Sequence, residues 1–256
     1  MRYERGMIKI SEKADLPVLR LAYRAGHLTR RQMYESLNIS ATAKTAWDSF
    51  RWRVGRLAER EFLERSKVDG LGIILSLGSN GELFLQDKEP TVVSRASRTG
   101  HGSSRDQVWH DVELFGIQMA LRRAGVVRYW QFETEIRTEN RLSSHRYAKD
   151  YDAIVTFDVG GRSGQIALEY ERTAKSDRPY EEICAKLDDE TRVPAFLYLA
   201  PNPHLQSLLV QWFCATRRHL CVGVMQEFCD DPLRARLIDA RRGATRYLGD
   251  LLEAAR

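Results

Sequence analysis

The sequence predicts a mixed α/β protein made of two segments of different character, and three observations carry that expectation. Within residues 1–88, three stretches with helical spacing of apolar residues precede two short apolar runs joined by Asp69-Gly70. Farther on, strand-length apolar runs alternate with helical patterns to the end of the chain. Charge is unevenly divided: residues 1–88 hold 16 Lys+Arg against 11 Asp+Glu, whereas residues 89–256 hold 24 of each. The net charge of +5 therefore belongs to the first segment, where a basic face for phosphate is expected.

In the first segment a helix is expected over Leu16–Ala25, closed by Gly26. Thr29 reads as the N-cap of a second helix, Arg30–Leu37, with Met33 and Leu37 one turn apart on a buried side. A third, Ala43–Arg60, repeats Ala46, Phe50, Val54 and Leu57 at helical spacing. Strands follow at Leu63–Val68 and Ile73–Leu77, then Gly78-Ser79-Asn80-Gly81 and an apolar piece, Glu82–Leu85. Three helices and then a hairpin is the order of a winged helix-turn-helix, and this domain is assigned residues 1–88. Residues 89–105, rich in Ser, Arg and Gly, read as a linker.

The second segment, 106–256, is expected to run helix (106–124), strand (127–135), polar loop, strand (152–158), Gly160-Gly161 turn and strand (165–171). A helix (180–188), a strand (195–199), a helix (205–217), a strand (221–225) and a final helix (232–255) complete it. No apolar run is long enough for a bilayer and the first residues lack a signal-peptide core, so no membrane partner and a cytoplasmic location are expected. Cys184, Cys214, Cys221 and Cys229 form no CxxC pair and read as buried free thiols.

With Phe50 turned inward, a helical wheel puts Lys44, Asp48, Arg51, Trp52 and Arg56 on the outer face of the third helix. Such a face suits the major groove: Arg grips guanine bidentately, and Lys44 and Thr45 can anchor phosphates. Arg30 and Arg31 open the preceding helix, where such proteins cross the sugar-phosphate backbone. Trp47 reads as packing. In the second segment Glu169 and Glu171 share one face of a strand, and Asp152 opens its antiparallel neighbour. Three carboxylates near strand ends can hold magnesium, which takes a few carboxylate oxygens and keeps water. The plain alternative is a solvated acidic strand face with Arg172 and Lys175 nearby.

The pattern LTRRQMYESL…RWRVGRLAEREFLERS…ILSLGSNGELFL resembles bacterial winged helices, with Glu61 where their corner glycine stands. Asp152 followed by Glu169-x-Glu171 resembles the PD-(D/E)xK nuclease fold. With WHDVELFGIQMALRRAG and DYDAIV…IALEYERT, the chain resembles the replication-relaxation family of plasmids and mobile elements, over at least residues 28–227. That resemblance implies double-stranded DNA as partner, with a homodimer and replication or relaxase proteins as further partners. It implies Asp152, Glu169, Glu171, Lys175 and Glu113 as the catalytic set, with Asp152 and Glu169 holding Mg2+ or Mn2+. Tyr151 replaces the motif's Pro, and Glu171 stands where the motif has Lys. That Lys orients the attacking water, and Lys175 or Lys149 can substitute in space. The function expected is a DNA-binding accessory or regulatory protein with a nuclease-like second domain; the alternative is a Mg-dependent endonuclease targeted by the winged helix.

Overall fold

The computed structural model describes residues 9–39, 45–89 and 104–254. Lys44 and residues 90–103, most of the expected linker, lie outside the described residues. The chain divides into two compact units, Met1–Phe115 and Gly116–Arg256. The division falls within helix α5 (Arg105–Arg123), whose first half counts with unit 1.

Unit 1 runs α1 (Leu16–Ala25), β1 (Leu28–Thr29), α2 (Arg30–Ile39), α3 (Trp47–Glu59), β2 (Leu63–Val68), β3 (Gly72–Leu77) and α4 (Ser79–Lys88). Its sheet has the order β1-β3-β2 and is antiparallel throughout, with Leu28 opposite Leu75 and Leu63 opposite Leu77. Val18, Leu19, Leu28, Met33, Phe50, Leu57 and Leu75 are fully buried and form the core, which is why the periodic apolar positions of three helices and the inner face of β3 come together. The piece read as a short apolar run is a full helix, α4. Its entry needs glycine: a Cβ on Gly78 would lie 2.2 Å from the Glu61 carbonyl oxygen, and one on Gly81 2.2 Å from that of Phe62. Glu61 itself adopts a left-handed conformation, φ 56°, at the corner position.

The first half of α5 lies on the hairpin. Val108 and Val112 pack with Ile74, Val68 and Leu71, and Gly70 at the hairpin tip leaves room for the Trp109 ring. His27 Nδ1 meets the buried Asp111 carboxylate at 2.7 Å, and Gln32 Nε2 donates to the Val112 carbonyl. Apolar contact and polar pairing thus fix this half-helix to the three-stranded sheet.

Unit 2 is a mixed α/β layer structure around a seven-stranded sheet of order β10-β9-β8-β7-β6-β5-β4. After α5 come β4 (Val127–Phe132), α6 (Glu133–Leu142), β5 (Ala153–Val159), β6 (Arg162–Tyr170), α7 (Asp177–Asp189) and β7 (Ala195–Ala200). Then come α8 (Pro203–Phe213), β8 (His219–Val224), α9 (Met225–Asp230), β9 (Leu237–Asp239), β10 (Thr245–Arg246) and α10 (Leu248–Ala254). Strands β6, β7 and β8 are parallel and the other pairs antiparallel. All six residues of β7 are buried, as an apolar run at the centre of a covered sheet requires. Gly160 and Gly161 both have positive φ, 57° and 78°, and close the tight β5–β6 hairpin. Helices α7 and α8 cover one face through Tyr180, Leu187, Leu209 and Phe213 against Ile154, Ala167, Phe196 and Tyr198.

Two expectations are corrected here. Residues 133–142 are not the end of a strand and a loop but α6: Glu135 reaches back to accept the Phe132 N–H at 2.9 Å, Arg137 pairs with Glu133, and Ile136 is buried. The single helix expected over 232–255 is instead a β9–β10 hairpin followed by the short α10. Gly243 takes φ 64°, and the Asp239 carboxylate accepts the N–H groups of Arg241 and Arg242, a local competitor that turns the chain away from a helix. Among the described residues no helix is long and apolar enough to cross a membrane. The cysteines are free; Cys221 is buried, Cys184 and Cys229 are half-buried, and Cys214 is exposed.

Candidate functional site

In unit 1 the expected DNA-facing residues fall into two groups. Arg51 and Trp52 stand out from α3, with Trp52 69% exposed, and Asp48 lies 3.6 Å from the Arg51 guanidinium. Arg31 is exposed at the start of α2 and pairs with Glu35 one turn on, while Arg30 sits over the Trp47 ring at 5.5 Å. Trp47 in turn stacks on Phe50 and meets Tyr34 edge-on, in keeping with a packing role. The Thr45 N–H is held by Asn38 Oδ1 just before α3.

Arg56 is differently employed. Its guanidinium bonds at 2.6 Å to Asp15, which is 1% exposed, and Arg53 approaches the same carboxylate at 3.6 Å. Arg56 also lies 5.3 Å from the Trp52 ring, so it both fixes α3 to the start of α1 and backs the exposed indole. Asp15 lies 41 residues away from Arg56, and nothing in the spacing pointed to it.

In unit 2 the carboxylates collect at one end of the β5–β6 pair. Ala153 is opposite Leu168, and one step further along the same register Asp152 faces Glu169. Asp152 Oδ2 accepts the Tyr170 N–H at 2.7 Å, which ties the start of one strand to the end of the other. Glu171, just past β6, donates its N–H to the Leu199 carbonyl and carries Lys175 on its carboxylate at 2.5 Å. Lys149 reaches Glu169 at 2.8 Å in an ion pair whose side chains are 18% and 13% exposed.

The electrostatics follow from burial. Burial drives the Glu169 carboxyl up to about 7; Lys149 opposes this and the Asp152 charge adds to it. Burial pulls Lys149 down, but the attraction of Glu169, and beyond it of Asp152 and Glu171, leaves its ammonium above the ordinary range. Two ammonium groups thus face three carboxylates, Lys149 on Glu169 and Lys175 on Glu171. Beneath them Tyr198, opposite Glu169 in the β6–β7 register, is buried, and its hydroxyl has no hydrogen-bond partner among the described residues. Burial and the carboxylates hold that phenol well above its usual range.

The segment bearing Lys149 is positioned by Glu190, a buried carboxylate after α7. Glu190 Oε2 accepts from the Ala148 N–H at 2.9 Å and from the Tyr151 hydroxyl at 3.0 Å. Tyr151 therefore contributes a hydrogen bond as well as a buried ring. Glu113 and His110 lie on the first half of α5, in unit 1, while Asp152, Glu169 and Glu171 belong to unit 2. Among the described residues no group of three or more His, Cys, Asp and Glu side chains is arranged as metal ligands.

Sequence reasoning missed Glu190 and Tyr198. Tyr198 had a faint signal, as a hydroxyl-bearing residue in the apolar run AFLYLA, but Glu190 sits in a polar turn that looks like any other. Comparison of the chain with family models, with curated proteins and with solved structures finds no match.

Proposed function

We propose that this chain is a DNA-binding accessory or regulatory protein, with unit 1 as a winged helix that reads duplex DNA and unit 2 as a nuclease-like PD-(D/E)xK domain. The observation that carries the reading is the order helix, strand, helix, helix, hairpin with a β1-β3-β2 sheet, which leaves Arg51 and Trp52 exposed on the helix before the hairpin. The basic excess of residues 1–88 supports it. A setting in the replication or DNA relaxation of a plasmid or mobile element rests on the sequence resemblance alone, as do a homodimer and relaxase partners. Arg51→Ala, whose side chain among the described residues has only an exposed contact with Asp48, is expected to weaken duplex binding in a gel-shift titration while the fold is retained. Unchanged affinity would count against α3 as the reader.

A specific observation favours a second reading, a Mg-dependent endonuclease. The motif's missing Lys has a spatial counterpart in Lys149, which touches Glu169 opposite Asp152. The pair of carboxylates suits magnesium, which takes one or two carboxylates and keeps its waters. Asp152 and Glu169 would hold the ion, which when bound lowers the pKa of water and neutralises charge on phosphate. Lys149 keeps a fixed positive charge beside that pair, and Glu190 fixes the segment it stands on. Under this reading Mn-dependent cleavage of plasmid DNA is lost in Glu169→Ala; cleavage that survives the substitution comes from another site.

A further inference from the structure

The β9–β10 hairpin forms one edge of the seven-stranded sheet, since β10 pairs with β9 alone. Its turn, 240–244, carries Arg241 and Arg242 side by side, both exposed. The turn is rigidly built: Asp239 Oδ1 accepts the Arg241 and Arg242 N–H groups at 3.1 and 3.0 Å, and Gly243 N–H returns to the Asp239 carbonyl at 2.8 Å. Ala240 is buried and donates to the Leu220 carbonyl, which anchors the turn to the sheet. Nearby arginines have acidic partners: Arg234 has Asp231, Arg236 has Glu227, and Arg246 has Asp239. For the guanidinium groups of Arg241 and Arg242, no ion pair or hydrogen bond occurs among the described residues.

Edge strands often carry charge to prevent pairing with another sheet. Arg246, on β10 itself, meets that need; Arg241 and Arg242 stand beyond the strands, on the turn. Two planar guanidinium forks with no partner among the described residues, on a turn whose backbone is preordered, can each pair with phosphodiester oxygens, with little backbone ordering entropy left to lose on binding. A narrow turn suits a thin polyanionic strand better than a flat bilayer, and the hairpin offers no amphipathic helix face for lipid.

We propose that the β9–β10 turn, through Arg241 and Arg242, is a second nucleic-acid contact that grips the phosphate backbone independently of unit 1. The near-neutral balance of residues 89–256 conceals it, because the charge is collected locally rather than in excess. The contact confers affinity without sequence preference, since phosphates carry no base information.

The test uses the full chain and a short fluorescein-labelled duplex of arbitrary sequence, read by anisotropy over a salt series. Each phosphate contact contributes about 0.9 to the slope of log affinity against log salt, so Arg241→Ser/Arg242→Ser is expected to lower the slope by about 2. Thermal unfolding should be unchanged, and Arg241→Lys/Arg242→Lys should keep the slope. In an Arg30→Ala/Arg51→Ala background a residual salt-sensitive association should remain and disappear when the turn is also changed, so failure of unit 1 as a reader is told apart from failure of the turn. An unaltered slope and affinity in the Ser variant overturn the proposal. Loss of binding to phosphatidylserine vesicles with DNA binding intact overturns it too, and assigns the turn to a lipid surface.

Discussion

Replacing Lys149 by Met removes the ammonium paired with Glu169, and the consequence depends on pH in a calculable way. Both side chains of the pair are less than one-fifth exposed, so an ionised Glu169 without its partner would cost about 3–5 kcal/mol. The variant avoids that by keeping Glu169 protonated. In the unfolded chain the carboxyl has lost its proton above about pH 5. The folded state then holds one proton more than the unfolded state, and stability falls as pH rises. In the unaltered protein this fall stops near 7, where the folded Glu169 ionises. In the variant it continues, because the group that does most to lower the Glu169 pKa is gone and only the weaker pull of Lys175 remains. The gap between the two proteins should therefore be small at about pH 6 and widen by about 1.4 kcal/mol per unit above about pH 7, reaching roughly 3 kcal/mol by about pH 9. Urea unfolding followed by far-UV circular dichroism at the two pH values measures it. Lys149→Met/Glu169→Gln should recover most of the loss at high pH. Equal destabilisation at both pH values would refute the reasoning.

Two further stability predictions follow from unit 1. Asp15→Ala leaves Arg56 and Arg53 without their shared buried carboxylate and should cost about 3 kcal/mol in denaturant unfolding; a loss under 1 kcal/mol would mean that the 2.6 Å contact contributes little. Glu61→Gly removes a left-handed side chain that costs about 1–2 kcal/mol, against about 0.5–1 kcal/mol of added chain entropy, so a gain of about 0.5–1 kcal/mol is expected in thermal unfolding and a loss would contradict the strain.

Where local spacing alone decides structure, the sequence was legible. Helix α1 and strand β2 have the bounds that periodicity and turn residues imply, and Gly160-Gly161 fixed both the hairpin and the pairing of Asp152 with Glu169. Legibility failed where a side chain far away, or a competing local bond, decides. The outer face of α3 was assigned from a wheel that has no knowledge of Asp15, so the partner of Arg56 was invisible. Residues 232–255 read as one helix, but Asp239 captures two N–H groups and Gly243 turns left-handed, giving a hairpin. Residues 133–142 looked like the end of a strand and a polar loop because their helix is secured by Glu135 and the Arg137–Glu133 pair rather than by a broad apolar stripe. Lys149 was named only as a spatial possibility, because its position depends on Glu190 holding the segment around it.

The claim that α3 of unit 1 is a DNA reader is tested most directly by site-specific photo-cross-linking. A benzophenone side chain introduced at Trp52 should form covalent adducts with labelled duplex DNA on irradiation, whereas the same group at Glu182, an exposed position on α7, should form far fewer. Absence of adducts from position 52, or equal yields from the two positions, would contradict it.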